Sequence, residues 1–358
     1  MKITILWGAL ASYSVAFFKE LSAYRNCQLQ LIYFGTLPDA PYDGFDLSFC
    51  SSSINRTKKP KLNIEKAVNM YSPDCVLMCS WNYCDYMKIT RRLRKEGVFV
   101  VSTIDNQWRG TLKQWLGILS SRWFLKPSID CFLAAGDRQA NFARRLGYDR
   151  ILYGLYAASV EEFKNTIPLY DRDPCFLFVG RLAPEKGIGN LMEAYRLYRE
   201  KCSKPWYLKV AGTGELKYLL QGIDGVKPCG FVQPKQMPEL MKSARALILP
   251  SKFEPWGVVI QEAAAAGLPI IATYECGAVT AFVRDGLNGF IVEANCNFIR
   301  DAMLKISYCN DEQLESMRRV SQILAELWTP IKLAHYFIEY VEIAMNKKNG
   351  TISRKNIS

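Results

Sequence analysis

Histidine is almost absent from this chain: 358 residues contain one, His335. That scarcity argues against a Ser-His-Asp triad, a histidine-rich metal site and a histidine general base. His335 itself lies in an apolar helical stretch near the C-terminus, a structural setting. Long apolar runs are also missing, and no segment approaches the ~20 residues needed to span a bilayer. The apolar start is interrupted by Ser12, Tyr13 and Ser14. It reads as a strand at residues 3–6, a turn through Gly8 and a helix rather than a signal peptide, which implies a cytoplasmic chain. The 12 cysteines lack zinc spacing: Cys75, Cys79 and Cys84 match no ligand pattern. Nothing is arranged as a small disulfide framework, so the thiols read as reduced core residues.

What is present suits two soluble α/β domains. The length is generous for one core, and 49% hydrophobic with 22% charged residues is an ordinary globular balance. The net charge of +12 is uneven: residues 1–165 carry 22 Lys+Arg against 14 Asp+Glu, the remainder 24 against 20. A basic N-terminal half points to an acidic partner, whether nucleic acid, anionic membrane or a phosphorylated ligand.

Short apolar strands alternate with helices throughout. The first half places strands at residues 3–6, 29–33, 75–79, 98–102 and 129–134, with helices at 63–70, 86–96 and 138–146. Residues 35–62 read as irregular, ending in the basic run Arg56, Lys58, Lys59 and Lys61, a solvated loop. The pattern breaks at 157–174, the linker, then restarts. Strands are expected at 175–179, 207–211, 225–229, 246–249 and 269–272, and helices at 189–200, 215–220, 235–242 and 257–266. Alternation of this kind predicts parallel sheets in two doubly wound domains, with a ligand cleft between them at the strands' C-terminal ends. The expected division is an N-terminal domain over 1–165, a C-terminal domain over 166–327, a helix over 328–347 returning to the N-terminal domain, and a polar tail over 348–358.

Four motifs carry chemistry, each at the C-terminal end of an expected strand. The most informative is Pro250-Ser251-Lys252-Phe253-Glu254-Pro255-Trp256-Gly257, running into a helix that contains Glu262. The amides of Gly257, Val258 and Val259 would form an anion site at the helix N-terminus. Glu254 and Glu262 on either side suit a phosphate flanked by polyols, because carboxylates accept hydrogen bonds from vicinal hydroxyls. The second is Gly180-Arg181-Leu182-Ala183-Pro184-Glu185-Lys186-Gly187, whose Arg181 and Lys186 can neutralise a diphosphate as a glycosidic bond breaks. The third, Gly212-Thr213-Gly214, and the fourth, Gly230-Phe231-Val232, are weaker alone, each equally readable as a connecting turn.

In order and spacing these motifs resemble the retaining, GT-B-fold glycosyltransferases of family 4: G-R-L-x-x-E-K-G, then A-G-x-G, G-x-V, and P-S-x-x-E-x7-E followed by A-x-G-x-P-I-I-A. Asp285-Gly286-Leu287-Asn288-Gly289 fits the family's D-G-x-N-G turn. The likeness is dense from residue 175 to about 292 and thinner before it. It implies two tandem Rossmann-like domains and transfer from a UDP- or GDP-linked sugar to a glycan or lipid-linked acceptor. It also implies a place in cell-surface polysaccharide or glycoconjugate biosynthesis, with no metal and no other cofactor. By the same resemblance Glu262 binds the donor ribose, Glu254 the transferred sugar, and Arg181 and Lys186 the diphosphate with the 257–259 amides. Gly212 lines the donor site, Val232 meets the base through its main chain, and Gly8 approaches from the other domain. Where many members carry a His-Asp pair this chain has Thr103-Ile104-Asp105-Asn106, so Asp105 or Asn106 is expected to orient acceptor or sugar. Asp171-Arg172-Asp173 mimics a D-x-D metal motif but lies in the linker, not at the end of a buried strand.

Three rival functions fit part of the sequence. A nucleotide-sugar epimerase shares the architecture but needs an acid/base set that one peripheral histidine makes harder to supply. A dinucleotide dehydrogenase is disfavoured because the first turn, residues 7–12, lacks G-x-G-x-x-G. A nucleic-acid-binding protein would explain the charge, but Glu254 and Glu262 would repel an open strand's phosphates. Finally, residues 111–126 carry Leu112, Trp115, Leu116, Leu119 and Trp123 at helical spacing among Arg109, Lys113, Arg122 and Lys126. Such a helix suits either an anionic membrane interface or packing on its own sheet.

Overall fold

A computed structural model describes residues 1–35, 44–60 and 62–348. From residue 349 the expected tail lies outside these residues, as does Lys61 of the basic run. The chain divides into two compact units, Met1–Ala157 with Pro330–Ser358, and Ala158–Thr329.

The first unit runs β1 (Lys2–Leu6), α1 (Ser12–Ala23), β2 (Gln28–Tyr33), β3 (Ser52–Asn55), α2 (Ile64–Tyr71), β4 (Cys75–Met78), α3 (Cys84–Lys95), β5 (Phe99–Ile104), α4 (Leu112–Phe124), β6 (Cys131–Ala134), α5 (Asp137–Arg145) and β7 (Ile151–Tyr153). Its seven strands form one parallel sheet in the order β3-β2-β1-β4-β5-β6-β7. The central strands β4, β5 and β6 are buried at every position. β4 and β6 accordingly read as unbroken apolar runs, because a parallel sheet covered on both faces has no polar side, while β5 also buries Ser102 and Thr103.

Residues 35–62 are not irregular throughout. Ser52–Asn55 pairs with β2 as the edge strand β3, with Ile54 its one apolar residue. An edge strand that stays partly exposed needs no apolar run, so hydrophobicity does not announce it.

The second unit contains α6 (Val160–Phe163), β8 (Cys175–Val179), α7 (Ile188–Lys201), β9 (Tyr207–Ala211), β10 (Val226–Gly230), α8 (Met237–Lys242), β11 (Ala246–Leu249), α9 (Val258–Ala265), β12 (Ile270–Thr273), α10 (Val279–Phe282), β13 (Gly289–Val292), α11 (Cys296–Ser307) and α12 (Asp311–Glu326). Six parallel strands follow the order β10-β9-β8-β11-β12-β13. Residues 215–220, expected as a short helix, form a 3₁₀ turn. The Asp285–Gly289 turn starts β13: Asp285 Oδ1 accepts from the Ile291 amide at 2.9 Å. Fully buried Asn288 accepts from the Arg284 amide at 2.7 Å and donates to the Phe282 carbonyl and Ser321 Oγ, both at 3.0 Å. This motif builds the fold at the N-terminal end of a strand, away from the strand ends where the other motifs gather.

The last helix, α13 (Pro330–Lys348), returns to the first unit, where Phe337 meets Phe17 edge-on and His335 stacks on Tyr24 with ring centres 4.0 Å apart. The single histidine is thus a packing residue. Among the described residues helix α4 is held mainly by its underside, with Trp115 on its flank meeting Trp108 edge-on. Ile118 and the following Leu125 lean on the core, and buried Ser121 donates to the Leu146 carbonyl. Its expected packing on its own sheet does not extend to Leu112, Leu116, Leu119 and Trp123, which are exposed. No helix among the described residues is long and apolar enough to cross a membrane.

Candidate active site

The loops at the C-terminal edge of the second sheet lie against one another. Strand β8 runs out at Val179 into residues 180–187, where Leu182 N–H donates to the Thr213 carbonyl beyond β9 at 2.8 Å. Gly212 N–H in turn donates to the Gly230 carbonyl at the end of β10, at 2.7 Å. A Cβ on Gly212, which has φ +142°, would collide with the Gly180 carbonyl oxygen; a Cβ on Gly187, with φ +70°, would collide with that of Pro250. These two glycines occur in the motifs because backbone passes backbone there.

The loop after β11 is pinned from both sides. Lys252 and Phe253 N–H groups donate to the Glu185 carbonyl at 2.8 and 3.1 Å. On the other side the Glu254 carbonyl accepts from Gly277 N–H at 3.0 Å and the Trp256 carbonyl from Ala278 N–H at 2.8 Å. Thr273 adds a hydroxyl bond to the Ser251 carbonyl at 2.6 Å. Gly257 then caps α9, so Val258 and Val259 stand in its first turn, where amides have no acceptor within the helix.

This scaffold brings Lys186 and Glu254 into a direct ion pair, the ammonium on Glu254 Oε2, with both side chains largely buried at 16% and 13% exposure. The cation and the carboxylate that the motifs nominated from separate loops therefore share one place. Arg181, by contrast, is an exposed residue paired with Glu185 Oε1 at 2.7 Å within its own loop. Glu262, half-buried, lies on α9. Burial pushes its carboxyl up to about 7, and the like charge of Glu162 on α6 adds to the shift. Glu162 is a neighbour the motifs gave no reason to single out; it stands 100 positions earlier, in the stretch read as linker. Val232 follows β10 in the same unit, half-buried.

Three nominated residues lie in the first unit, also beyond strand ends. Gly8 follows β1, and its carbonyl accepts from Phe34 N–H at 3.1 Å. Asp105 follows β5: Tyr156 O–H donates to its Oδ2 at 3.2 Å, and Gln139 Nε2 to its main-chain carbonyl at 3.1 Å. No sequence spacing connects Tyr156 to Asp105, so this contact is visible only in the fold. Asn106 is exposed.

The D-x-D look-alike is structural. Buried Arg172 donates to the Ile167 and Ala266 carbonyls. Asp173 bonds Lys209 Nζ at 2.9 Å just before β8, at the opposite end of that strand from Arg181.

Comparison with known proteins gives this site a setting. Residues 159–322 match the family model described as glycosyl transferases group 1. Among curated relatives, an uncharacterized glycosyltransferase of Methanocaldococcus jannaschii is 33% identical over 137 residues, 36% of this chain and 34% of that protein. The alpha-D-kanosaminyltransferase of Streptomyces kanamyceticus is 28% identical over 138 residues, 37% of this chain and 35% of that protein. The chain thus spans about a third of the length of these curated relatives. In structure the likeness covers nearly everything. Sucrose-phosphate synthase from Thermosynechococcus elongatus superposes with TM-score 0.73 at 16% identity, over 97% of this chain and 100% of that one. Anabaena HepE, solved with UDP, superposes with TM-score 0.72 at 15% identity, over 96% and 100%. The Lys186–Glu254 pair lies within the segment that is similar to the group 1 glycosyl transferases, in a chain with the GT-B fold.

Proposed function

We propose that the protein is a retaining, metal-independent glycosyltransferase of family 4, moving a sugar from a nucleoside diphosphate donor to a glycan or lipid-linked acceptor in cell-surface polysaccharide or glycoconjugate synthesis. The observation that carries this reading is the meeting of Lys186 with Glu254 beside the first turn of α9, on loops whose backbones are pinned together. Lys186, Arg181 and the amides of Gly257, Val258 and Val259 take the diphosphate. Glu254 holds hydroxyls of the transferred sugar and Glu262 those of the ribose. Gly212 lets the chain pass close to the donor, and Val232 meets the base with its backbone. Gly8, Asp105 and Asn106 serve the acceptor or the sugar from the first unit.

In this account the acceptor hydroxyl attacks the anomeric carbon from the face the diphosphate leaves. The bond from that carbon to the phosphate oxygen breaks, the bond to the acceptor oxygen forms, and the acceptor's proton passes to a phosphate oxygen of the departing nucleotide. Charge grows on the leaving group, so cations held in place before reaction stabilise the transition state more than the ground state. No histidine is required.

UDP is the nucleotide to try first, being bound in HepE. A thermal-shift panel of UDP, GDP and their sugars, with and without EDTA, tests the reading. Stabilisation by one nucleotide class, unchanged by chelation and largely lost in Glu262→Ala, is expected. Binding abolished by EDTA would overturn the metal-free mechanism, and an interconverted sugar nucleotide in place of a transferred sugar would favour an epimerase.

A further inference from the structure

Helix α4 exposes a ridge that the other described residues leave uncovered. Leu112 is 82% exposed, Leu116 65%, Leu119 67% and Trp123 70%, with Trp115 beside them at 50%. Spacings of three and four residues place them along one side of a helix. The opposite side is what holds the helix down, through Ile118, Ser121 and Leu125. An exposed apolar stripe this dense marks an interaction surface.

Charge identifies the occupant. Between Asp105 and Asp130 the chain has no acidic residue and four cations, Arg109, Lys113, Arg122 and Lys126, all exposed. A second copy placed symmetrically on this face would set these cations against their own counterparts, in a chain already at +12. Nucleic acid would satisfy the cations but leave the leucines in water. An anionic lipid surface satisfies both, taking leucines among its acyl chains, tryptophans at headgroup level and cations against lipid phosphates. At 13 residues the helix is too short to span a bilayer and long enough to lie in its surface.

We propose that α4 docks the protein on anionic membrane by its Leu112–Trp123 face. This goes beyond the donor site and does not depend on it, because the surface works without nucleotide.

Flotation of the full chain with vesicles of phosphatidylcholine, with and without phosphatidylglycerol, tests the proposal. Co-flotation is expected with phosphatidylglycerol at low salt, weakening as salt rises and absent on phosphatidylcholine alone. Leu119→Ser with Trp123→Ser should lower partitioning more than tenfold. Lys113→Gln with Arg122→Gln should lower it by about 25-fold, each cation contributing about fivefold. Both variants should keep the wild-type melting temperature and nucleotide response, since the replaced side chains are exposed. Absence of wild-type flotation on anionic vesicles, equal flotation of the variants, or self-association abolished by Leu119→Ser without vesicle binding would each overturn it. Loss of nucleotide binding with flotation intact would instead count against the donor site alone.

Discussion

Replacing Glu262 by Gln should make the protein more stable and a poorer binder of nucleotide. In the folded chain burial, with the nearby Glu162 charge, raises this carboxyl from its ordinary 4.5 to about 7. Between those values the folded state holds more protons than the unfolded one, so stability falls as pH rises from about 4.5 to 7, and the full cost is present above 7. A tenfold change in acidity corresponds to about 1.4 kcal/mol, which puts the cost near 3 kcal/mol; solvent at this half-buried position screens part of it, leaving about 1–3 kcal/mol. Glutamine keeps the shape and removes the charge. Thermal melts of both proteins between pH 5 and 8 should therefore converge at the acid end and separate by roughly 3–10 °C at pH 8, the variant being higher. The same variant should lose most of the thermal shift given by UDP or GDP, because a neutral amide accepts weaker hydrogen bonds from ribose hydroxyls than a carboxylate does. A melting difference that is the same at pH 5 and pH 8 would refute the electrostatic account. A stabilised variant with undiminished nucleotide binding would remove Glu262 from the donor site.

Two other substitutions separate folding from function. Gly212→Ala forces a methyl group onto the Gly180 carbonyl at φ +142°, and urea unfolding should show a loss of more than about 1 kcal/mol together with a weakened nucleotide response. Asn288→Ala removes three buried hydrogen bonds that hold the turn into β13; it should cost about 2–4 kcal/mol by urea unfolding, while nucleotide affinity of the folded protein stays unchanged.

Much of the fold could be read directly because parallel strands announce themselves. Runs such as 75–78 and 246–249 are buried at every position, and their uninterrupted apolar residues suit that burial. The edges were harder. Ser52–Asn55 is polar, and Gly289–Val292 reads as the end of a turn motif rather than as a strand. At the site, Gly187 and Gly212 were legible as loop glycines, but the reason for them, one backbone crossing another, is tertiary. Nothing in spacing connects Lys186 to Glu254, Glu162 to Glu262 or Tyr156 to Asp105. These pairs are 68, 100 and 51 positions apart; strand order brings the loops of the first and third to one sheet edge, and Glu162 comes near Glu262 because α6 packs on α9. Helix α4 shows a third limit: an apolar stripe has the same period whether it faces protein or water, so periodicity alone left its partner open.

The Lys186–Glu254 pair has a consequence that distinguishes a binding site from a structural salt bridge. With both side chains largely buried, removing one leaves a charge poorly solvated and unpaired, whereas removing both does not. A double-mutant cycle should therefore show Lys186→Ala and Glu254→Ala each destabilising, and the double variant less destabilised than their sum, with a coupling of about 1–3 kcal/mol. Nucleotide binding should split the two residues. Lys186→Ala should lose affinity for UDP and for UDP-sugar alike, since the diphosphate is common to both. Glu254→Ala frees the ammonium for phosphate, so affinity for UDP should hold or rise while the preference for the sugar-bearing donor disappears. A bridge that only held the loops together would lower both affinities in both variants by the same factor. Isothermal titration with UDP and UDP-glucose on the four proteins discriminates the cases, and parallel losses in all of them would return this ion pair to the scaffold.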